Sequence, residues 1–555
     1  MAKKTPKTPP PNSLTMDLYA PGMSLIHRAG MGGLAASLRW IEACAEQGEI
    51  PSKRLPGGKW KDGEPPWKIE ATRITLKFGK PESAGEFLQR VFELSFQIRK
   101  DGLIYLPGQF DTEPKAEVLA EVQNGLTLSF IQHGKTRKLD KTPTVHQYEA
   151  SGDGTKMVSV EYKKCSWFKH QDGWDVLTDK QSCLVTNPIE VIGPLCPGAV
   201  VRHVAFTTST KIAEPVDRVL PLYFSIVGCL VLPINRGVGA LVIPEVSDLE
   251  DFAVLRAEMS PHSGRQCRIA GATDAALQAQ IRVWAAKKSR SGQVPGCHAV
   301  TFRPTSWASQ QKSRVDAFLV PASDARLLRQ FEIALDTLKP HVATTVAPKK
   351  KADARPAKKK KAAKKPSGND AEYFWSDSIV RPLIADNLAR QWPWYKGFAD
   401  LMTKVDPVSK KPKRLKLFFE KEGLHAMTES IPWQDEGEST IVRAVHQALK
   451  QRLGAIAGEN KGNAGGMKNR MRGEFDKWRL AFAGAKTEDQ FRHALCDLFG
   501  RAGVNPVLRE KWETILPWLS HPHKWQLARD LSLLAIASYK GTGEKELEQE
   551  TPVKD

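Results

Sequence analysis

Apolar residues recur at helical spacing in some stretches of this chain and alternate with polar ones in others. Residues 24–47 follow the helical pattern, with a glycine cluster (Gly30, Gly32, Gly33) inside it. Residues 68–78 read as a short extended segment. Residues 83–100 return to helical spacing through Phe87, Val91, Leu94 and Phe96, and residues 116–133 predict another helix. Between 143 and 320 the character changes. Short β-rich runs at 157–162, 200–207, 223–232 and 240–243 are separated by Gly, Pro, Asn and Asp, with helical stretches at 274–286 and 323–338. No internal repeat is visible, and the alternation predicts an irregular α+β body.

From Glu372 onward the pattern is helical only. Ile441, Val445, Leu449 and Ile456 form one apolar stripe, and Met471, Phe475, Trp478 and Phe482 form a second. Thr487 with Gln490 has the spacing of a capping box, and helices over 508–519 and 524–539 complete the set. The expected fold class is therefore α+β: an irregular mixed N-terminal body followed by an all-α C-terminal helical bundle. The expected boundaries are a disordered tail at 1–14, a body at 15–340 divisible into 15–142 and 143–340, and a Lys-rich linker at 341–370. A bundle at 371–541 and a polar tail at 542–555 complete the chain.

Charge adds a class of partner. The 555 residues carry a formal charge of +20, which favours polyanions. Most of that excess is local: residues 349–365 alone hold a net +9, and Lys3, Lys4 and Lys7 lie in the tail, leaving +8 elsewhere. The Lys-rich run cannot bury a core, so it is a solvated tether, a mobile contact for nucleic acid, or both. The eight cysteines (Cys44, Cys165, Cys183, Cys196, Cys229, Cys267, Cys297, Cys496) show neither C-x-x-C pairs nor zinc-finger spacing, as expected of reduced thiols in a cytoplasmic protein. The longest apolar run, about 220–232, is too short for a bilayer, so no membrane association is expected.

Candidate chemistry is sparse. There is no Walker loop, no H-E-x-x-H and no G-x-S-x-G elbow. Asp153 followed by Glu161 and Lys163 has the residue types of a Mg²⁺-dependent nuclease, but Asp153 sits in a Gly-Asp-Gly turn, where Asp is a common turn former. His521 and His523 flank Pro522 without an evident third ligand. The glycine cluster can expose N–H groups to phosphate or let two elements pack closely. With no strand signal before it, close packing is the better reading. Asn235, Arg236 and Gly237 lie between two β-rich runs and combine an amide, a guanidinium and a flexible backbone, the groups that read base edges. Trp307 with Gln310, Gln311, Lys312 and Arg314 adds an aromatic, amides and cations suited to stacking on or wedging into a duplex. For each, a solvated turn is the favoured alternative. In the helical region Lys468, Arg472 and Arg479 fall off the apolar stripe and, with Lys461, Lys450 and Arg443, suit either a nucleic-acid backbone or plain solvation.

One segment is more distinctive. Tyr19-Ala20-Pro21-Gly22, then Gly30-Met31-Gly32-Gly33-Leu34-Ala35, resembles the Tyr-x-Pro-Gly…Gly-Leu-Gly-Gly-Leu-Ala opening of the Cas-eight family, the large subunits of type I CRISPR Cascade complexes. The nearest group is the Myxan subtype, usually placed with type I-B, and Met31 stands where that family has Leu. The resemblance is sharp over residues 17–36 and architectural elsewhere. It implies a non-catalytic subunit with no cofactor, working with guide RNA, target double-stranded DNA, Cascade backbone and small subunits, and a helicase-nuclease effector. It implies recognition of the motif flanking the target and help in opening the duplex. The C-terminal bundle resembles the family's small subunit, which some members make from an internal start; Met427 is a candidate for one. No family motif covers the motif-reading residues, so the site candidates rest on residue chemistry alone. A standalone basic DNA-binding protein and a metal-dependent nuclease are the competing readings.

Overall fold

The helix foreseen over residues 24–47 is α1 (Leu25–Glu46). Ser24 starts it: its hydroxyl oxygen lies 2.7 Å from Nδ1 of His27, and that nitrogen also accepts from the Ser24 N–H at 3.2 Å. Most of α1 is buried on every side, Leu34, Leu38 and Ile41 completely so. Its main partner is α4 (Val216–Gly228). A Cβ on Gly30 would lie 1.9 Å from the Pro221 carbonyl oxygen, one on Gly33 2.2 Å from that of Phe224, and one on Gly228 1.8 Å from that of Ala29. The glycines thus serve backbone-to-backbone packing, as the sequence favoured.

The computed structural model describes residues 11–60, 63–150, 155–197, 212–234, 237–287, 294–305, 308–322, 325–345, 372–405, 414–460 and 463–541. They form two compact units: Met1–Leu319 with Pro340–Asp377, and Val320–Lys339 with Ser378–Asp555. The first is mixed and the second helical, which is the α+β class expected.

Unit 1 also contains α2 (Ala84–Ser95), α3 (Ala116–Leu128), α5 (Leu249–Glu258) and α6 (Ala272–Lys287). Three strands, β1 (Ser13–Asp17), β2 (Trp67–Glu70) and β3 (Arg73–Lys77), form an antiparallel sheet in the order β1-β3-β2. Ser13 and Leu14, expected in the tail, begin β1 because Leu14 has a place in the core. A second sheet joins β4 (Thr144–Glu149) and β5 (Met157–Tyr162), then β6 (Leu230–Ile234) to β9 (Ala308–Val320) make a separate four-stranded sheet through β7 (Val238–Pro244) and β8 (Cys297–Thr305). The sheet of β4 and β5 is completed by β10 (His341–Thr345) and β11 (Glu372–Ser376) in the order β10-β11-β5-β4.

Three expectations need correction. The run 223–232 is helical through Gly228, with strand beginning only at Leu230. Buried on all sides against α1, this segment shows no polar face, and without one a buried helix and a buried strand look alike. Glu372–Ser376 is a strand rather than the start of the helical region, and His341–Thr345 inside the expected linker pairs with it. The helices foreseen over 83–100 and 116–133 stop at Ser95 and Leu128. The runs 200–207 and 349–365 lie outside the described residues.

The junction between α4 and β6 is fixed by two buried polar side chains. Arg256 on α5 donates from Nε to the Val227 carbonyl at 2.6 Å, from Nη2 to Cys229 at 2.7 Å, and from Nη1 to Ser260 Oγ at 2.9 Å. Gln109 donates to the Ile226 carbonyl at 2.9 Å. Burial pushes the guanidinium down to about 10, so it stays charged at neutral pH, with its charge spread over these acceptors.

Unit 2 comprises α7 (Ala325–Thr337), α8 (Arg381–Ala389), α9 (Phe398–Thr403), the single turn α10 (Arg414–Leu417) and α11 (Lys421–Ser430). The longer helices follow: α12 (Glu436–Glu459), α13 (Ala464–Gly484), α14 (Glu488–Ala502), α15 (Pro506–Ser520) and α16 (Trp525–Ser538). Ile441, Val445, Leu449 and Ile456 are buried on α12, as are Trp478 and Phe482 on α13. Thr487 caps α14 by accepting from the Gln490 N–H at 3.3 Å, while Gln490 Oε1 accepts from the Lys486 N–H at 2.8 Å.

Two consequences can be measured. Gly33→Val forces a side chain into the α4 backbone, so the variant is expected to lose several kcal/mol, on the order of 3 or more, and to express insolubly. Gly134→Ala, whose Cβ would meet nothing within 4 Å, is expected to stay within about 0.5 kcal/mol of the parent in urea titration. Separately, His170 is fully buried among Phe96, Phe130, Phe168 and Tyr223, with neither ring nitrogen partnered. Burial pushes its pKa from 6.5 down to about 3. Below pH 6.5 the unfolded chain takes up a proton there that the folded chain refuses, so His170 erodes stability as pH falls and has no such effect above pH 6.5. His170→Phe is expected to reduce the stability lost between pH 7 and pH 5 by about 2 kcal/mol, read as a smaller drop in urea midpoint.

Candidate nucleic-acid interface

The sheet β6-β7-β8-β9 carries the first group of candidates. Its register pairs Ile234 with Val238 and Pro233 with Gly239 across the β6–β7 hairpin, and Gly239 with Phe302 across β7–β8. The β8 end at Thr305 and the β9 start at Ala308 therefore lie at the same end of the sheet as the β6–β7 turn. Two sequence segments about seventy residues apart thus join the sheet at one end.

That edge stands on a rigid base. Leu230–Leu232 and Gly239–Val242 are buried, whereas Pro233, Ile234 and Val238 are half-buried and Gly237 is exposed. α3 reaches the β6 backbone through Gly125, where a Cβ would lie 2.8 Å from the Leu232 nitrogen. α6 covers β7 and β8. Its Gln280 donates to the Pro295 carbonyl at 3.0 Å just ahead of β8, and its Arg282 donates from Nη2 to the Met259 carbonyl at 2.6 Å. The hairpin ends are thus polar extensions of a packed core.

Gly237 is the last of three residues joining β6 to β7 and takes φ +76°, the left-handed conformation common at this position of a hairpin. Its glycine is explained by the turn itself. Asn235, Arg236 and Trp307 lie outside the described residues. Gln310, Gln311, Lys312 and Arg314 were read as a loop; they lie in the first seven residues of β9. The pairing partner β8 supplies the ladder that turns this polar stretch into strand, an effect that polarity alone does not reveal. Arg303, exposed near the end of β8, is an addition sequence reasoning missed. Its alternation with the buried Phe302 was the available signal.

In unit 2, Lys468 and Arg472 are exposed on α13, and Arg443 and Lys450 are exposed on α12. Arg479 is different: it pairs with Asp476 at 2.9 Å and its side chain is only 13% exposed, so it is committed to its own helix. Arg452 and Arg470 are likewise paired, with Glu474 at 3.0 Å and Glu459 at 3.2 Å. Lys461 lies outside the described residues.

Unit 2 also presents an aromatic platform that the sequence reading passed over. Trp392 is 38% exposed, with Lys396 Nζ 3.4 Å from its ring centroid and Arg390 Cζ 5.0 Å from it. The loop is held firmly: Asn387 Nδ2 donates to the carbonyls of Trp394 and Lys396 at 2.9 and 2.8 Å, and Asp530 accepts from the N–H groups of Gly397 and Ala399 at 2.7 and 3.1 Å. An indole flanked by cations can stack on a base while the cations meet phosphate.

The nuclease residues are not assembled in what is described. Asp153 lies outside it. Glu161 and Lys163 are exposed, and their backbone carbonyls accept from Asn124 at 2.9 Å and Gln123 at 2.6 Å, which docks this hairpin on α3. The rings of His521 and His523 lie 5.7 Å apart between centroids, tilted at 53°, in an exposed turn. Among the described residues no helix is long and apolar enough to cross a membrane.

A mixed first unit and a helical second unit are the layout that the segment 17–36 implied. The comparisons extend that likeness over the chain. The family model of the DevT N-terminal domain matches residues 15–223, and that of the DevT C-terminal domain matches residues 429–555. A relative from Myxococcus xanthus (strain DK1622), a CRISPR-associated protein Cas8a1/Csx13, is 35% identical over 559 residues, covering 97% of this chain and 91% of that one. The chain belongs to the Cas8 family of CRISPR-associated proteins.

The division of basic residues into free and paired has a direct readout. Lys468→Ala with Arg472→Ala is expected to flatten the salt dependence of single-stranded DNA binding by the full chain, lowering the slope of log K against log salt by about 1.4. Arg479→Ala is expected to leave the slope unchanged. Fluorescence anisotropy between low and moderate salt measures both.

Proposed function

We propose that this chain is the non-catalytic large subunit of an RNA-guided surveillance complex of the Cascade kind, in which it recognises the motif flanking the target. The observation that carries this reading is the convergence of the β6–β7 and β8–β9 ends on one edge of a rigid sheet. Either hairpin end, two strands wide, is narrow enough to enter a major groove. Asn235 and Arg236 are suited to base edges, while Arg303, Lys312 and Arg314 supply positive charge for phosphates. Guide pairing reads the rest of the target, so the protein needs only a short direct readout.

The exposed cations of α12 and α13 and the Trp392 platform suit a different task. They can hold single-stranded DNA without regard to sequence, which favours the displaced strand once the duplex opens. Recruitment of a helicase-nuclease completes the role. Met427, the candidate internal start, is buried in the middle of α11, two residues before the DevT C-terminal match begins. A product beginning there would contain α12–α16 intact.

The test is a complex co-expressed with backbone subunits and guide RNA, titrated onto target duplexes with randomised flanks. Tight binding to a few flanks, lost when this chain is omitted, is the expected result. Arg236→Ala is expected to weaken binding to the preferred flank by about 10- to 100-fold and to reduce discrimination between flanks. Equal binding to all flanks irrespective of guide overturns the proposal in favour of a general DNA-binding protein. Mg²⁺-dependent cleavage by the purified chain, abolished in Glu161→Ala, overturns the non-catalytic assignment.

A further inference from the structure

Among the described residues, one group of three side chains has the donor types and spacing of a metal centre, and it lies in unit 2. His425 and Glu429 are one helical turn apart on α11, so they share a face. His446 comes from α12. One donor atom from each lies within 4.8 Å of the other two. The His425 and His446 rings are 6.0 Å apart between centroids.

Two features of the rings fit ligation better than simple packing. Nε2 of His446 lies 3.0 Å from the Ala535 carbonyl oxygen and 3.1 Å from Ser538 Oγ. A carbonyl only accepts, and the Ser538 hydroxyl spends its proton on the Leu534 carbonyl at 2.8 Å. Nε2 must therefore carry the hydrogen, which leaves the lone pair on Nδ1. This is the usual arrangement of a metal-bound histidine, one nitrogen donating to a backbone carbonyl and the other free to coordinate. On the other ring, Nδ1 of His425 is buried without any hydrogen-bond partner. A nitrogen in that condition is a defect unless something fills the space beside it.

We propose that His425, Glu429 and His446 bind one Zn²⁺ ion that ties α11 to α12. Two imidazoles and one carboxylate are a zinc donor set with a fourth position left for water. A tetrahedral centre with arms of about 2.0–2.2 Å holds its ligands about 3.4 Å apart, so the three groups need close by at most about 1.4 Å, through side-chain rotation. Glu429 is exposed and gives the ion its route in. Through His446 the centre also reaches the last turn of α16. Its role here is to hold helices together: the carboxylate neutralises part of its charge, the neutral imidazoles donate lone pairs, and binding stabilises the helices that carry them.

The full-length chain, purified without chelator, tests the proposal. Expected are about one equivalent of zinc by elemental analysis, a melting temperature lowered by about 5 °C on EDTA treatment, and recovery on adding ZnCl₂. Co²⁺ in place of Zn²⁺ is expected to give the visible bands of a tetrahedral site. His425→Ala should abolish all of these. Glu429→Gln changes an exposed side chain with little change of shape, so it should fold and yet bind zinc at least 10-fold more weakly. A His521→Ala/His523→Ala chain should behave as the parent. Absence of both zinc and a melting shift in the parent overturns the proposal. So does zinc bound equally well by the folded Glu429→Gln and His425→Ala variants, or zinc lost only in the His521/His523 variant.

Discussion

The contact on which unit 1 depends is the bare-backbone crossing of α1 and α4. Gly30 and Gly33 on one helix and Gly228 on the other remove the side chains that would hold the helices apart. Their closeness leaves no room for water, so the polar groups near the end of α4 must be satisfied from elsewhere. Arg256 and Gln109 do this, and both donate to carbonyls where α4 gives way to β6. The direction in which β6 leaves the core is therefore set by buried hydrogen bonds. The β6–β7 turn inherits its position from a helix crossing whose α1 side lies about two hundred residues earlier in the sequence.

This chain of dependence explains why the family signature lies at the N-terminus although the proposed reading edge lies elsewhere. The segment 17–36 builds the α1 side of the crossing. A change there damages the hairpin edge without touching it, because the intervening interior is close-packed and has no slack to absorb a shift. In the helical unit the same economy takes another form. Several of its cations, Arg452, Arg470 and Arg479 among them, are paired with acids on the same or a facing helix, while Lys468 and Arg472 stand exposed on α13 for an external anion.

Sequence patterning made the class and most helices legible, and failed where periodicity carries no information. The stripes on α12 and α13 were readable because each has a polar back. The segment 223–232 was not, because it has none. Gln310, Lys312 and Arg314 read as loop because their strand identity comes from a partner, β8, and not from their own preferences. Of the candidate site, the grouping of the two hairpin ends could not be foreseen: it depends on the β7–β8 pairing, a contact between segments far apart in the chain. Trp392 was overlooked for a related reason, since its flanking cations acquire meaning only once Asn387 and Asp530 fix the loop. His425 and Glu429 stand at helical spacing in plain view, but their third partner is on another helix.

The chain leaves unit 1 at Val320, builds α7 as part of unit 2, and returns at Pro340 before crossing again at Ser378. This has a temporal side. Leu328 and Phe331 on α7 are buried, and Gly423 on α11 sits against the Thr337 carbonyl, where a Cβ would lie 2.3 Å away. On the ribosome, α7 emerges about ninety residues ahead of that partner, a delay of roughly 5–20 s. During it, the apolar face of α7 has at most α8, made partway through, to cover it. The interleaving therefore makes the last units of synthesis a race between docking and aggregation, and it ties the yield of folded protein to the speed at which residues 338–423 are made.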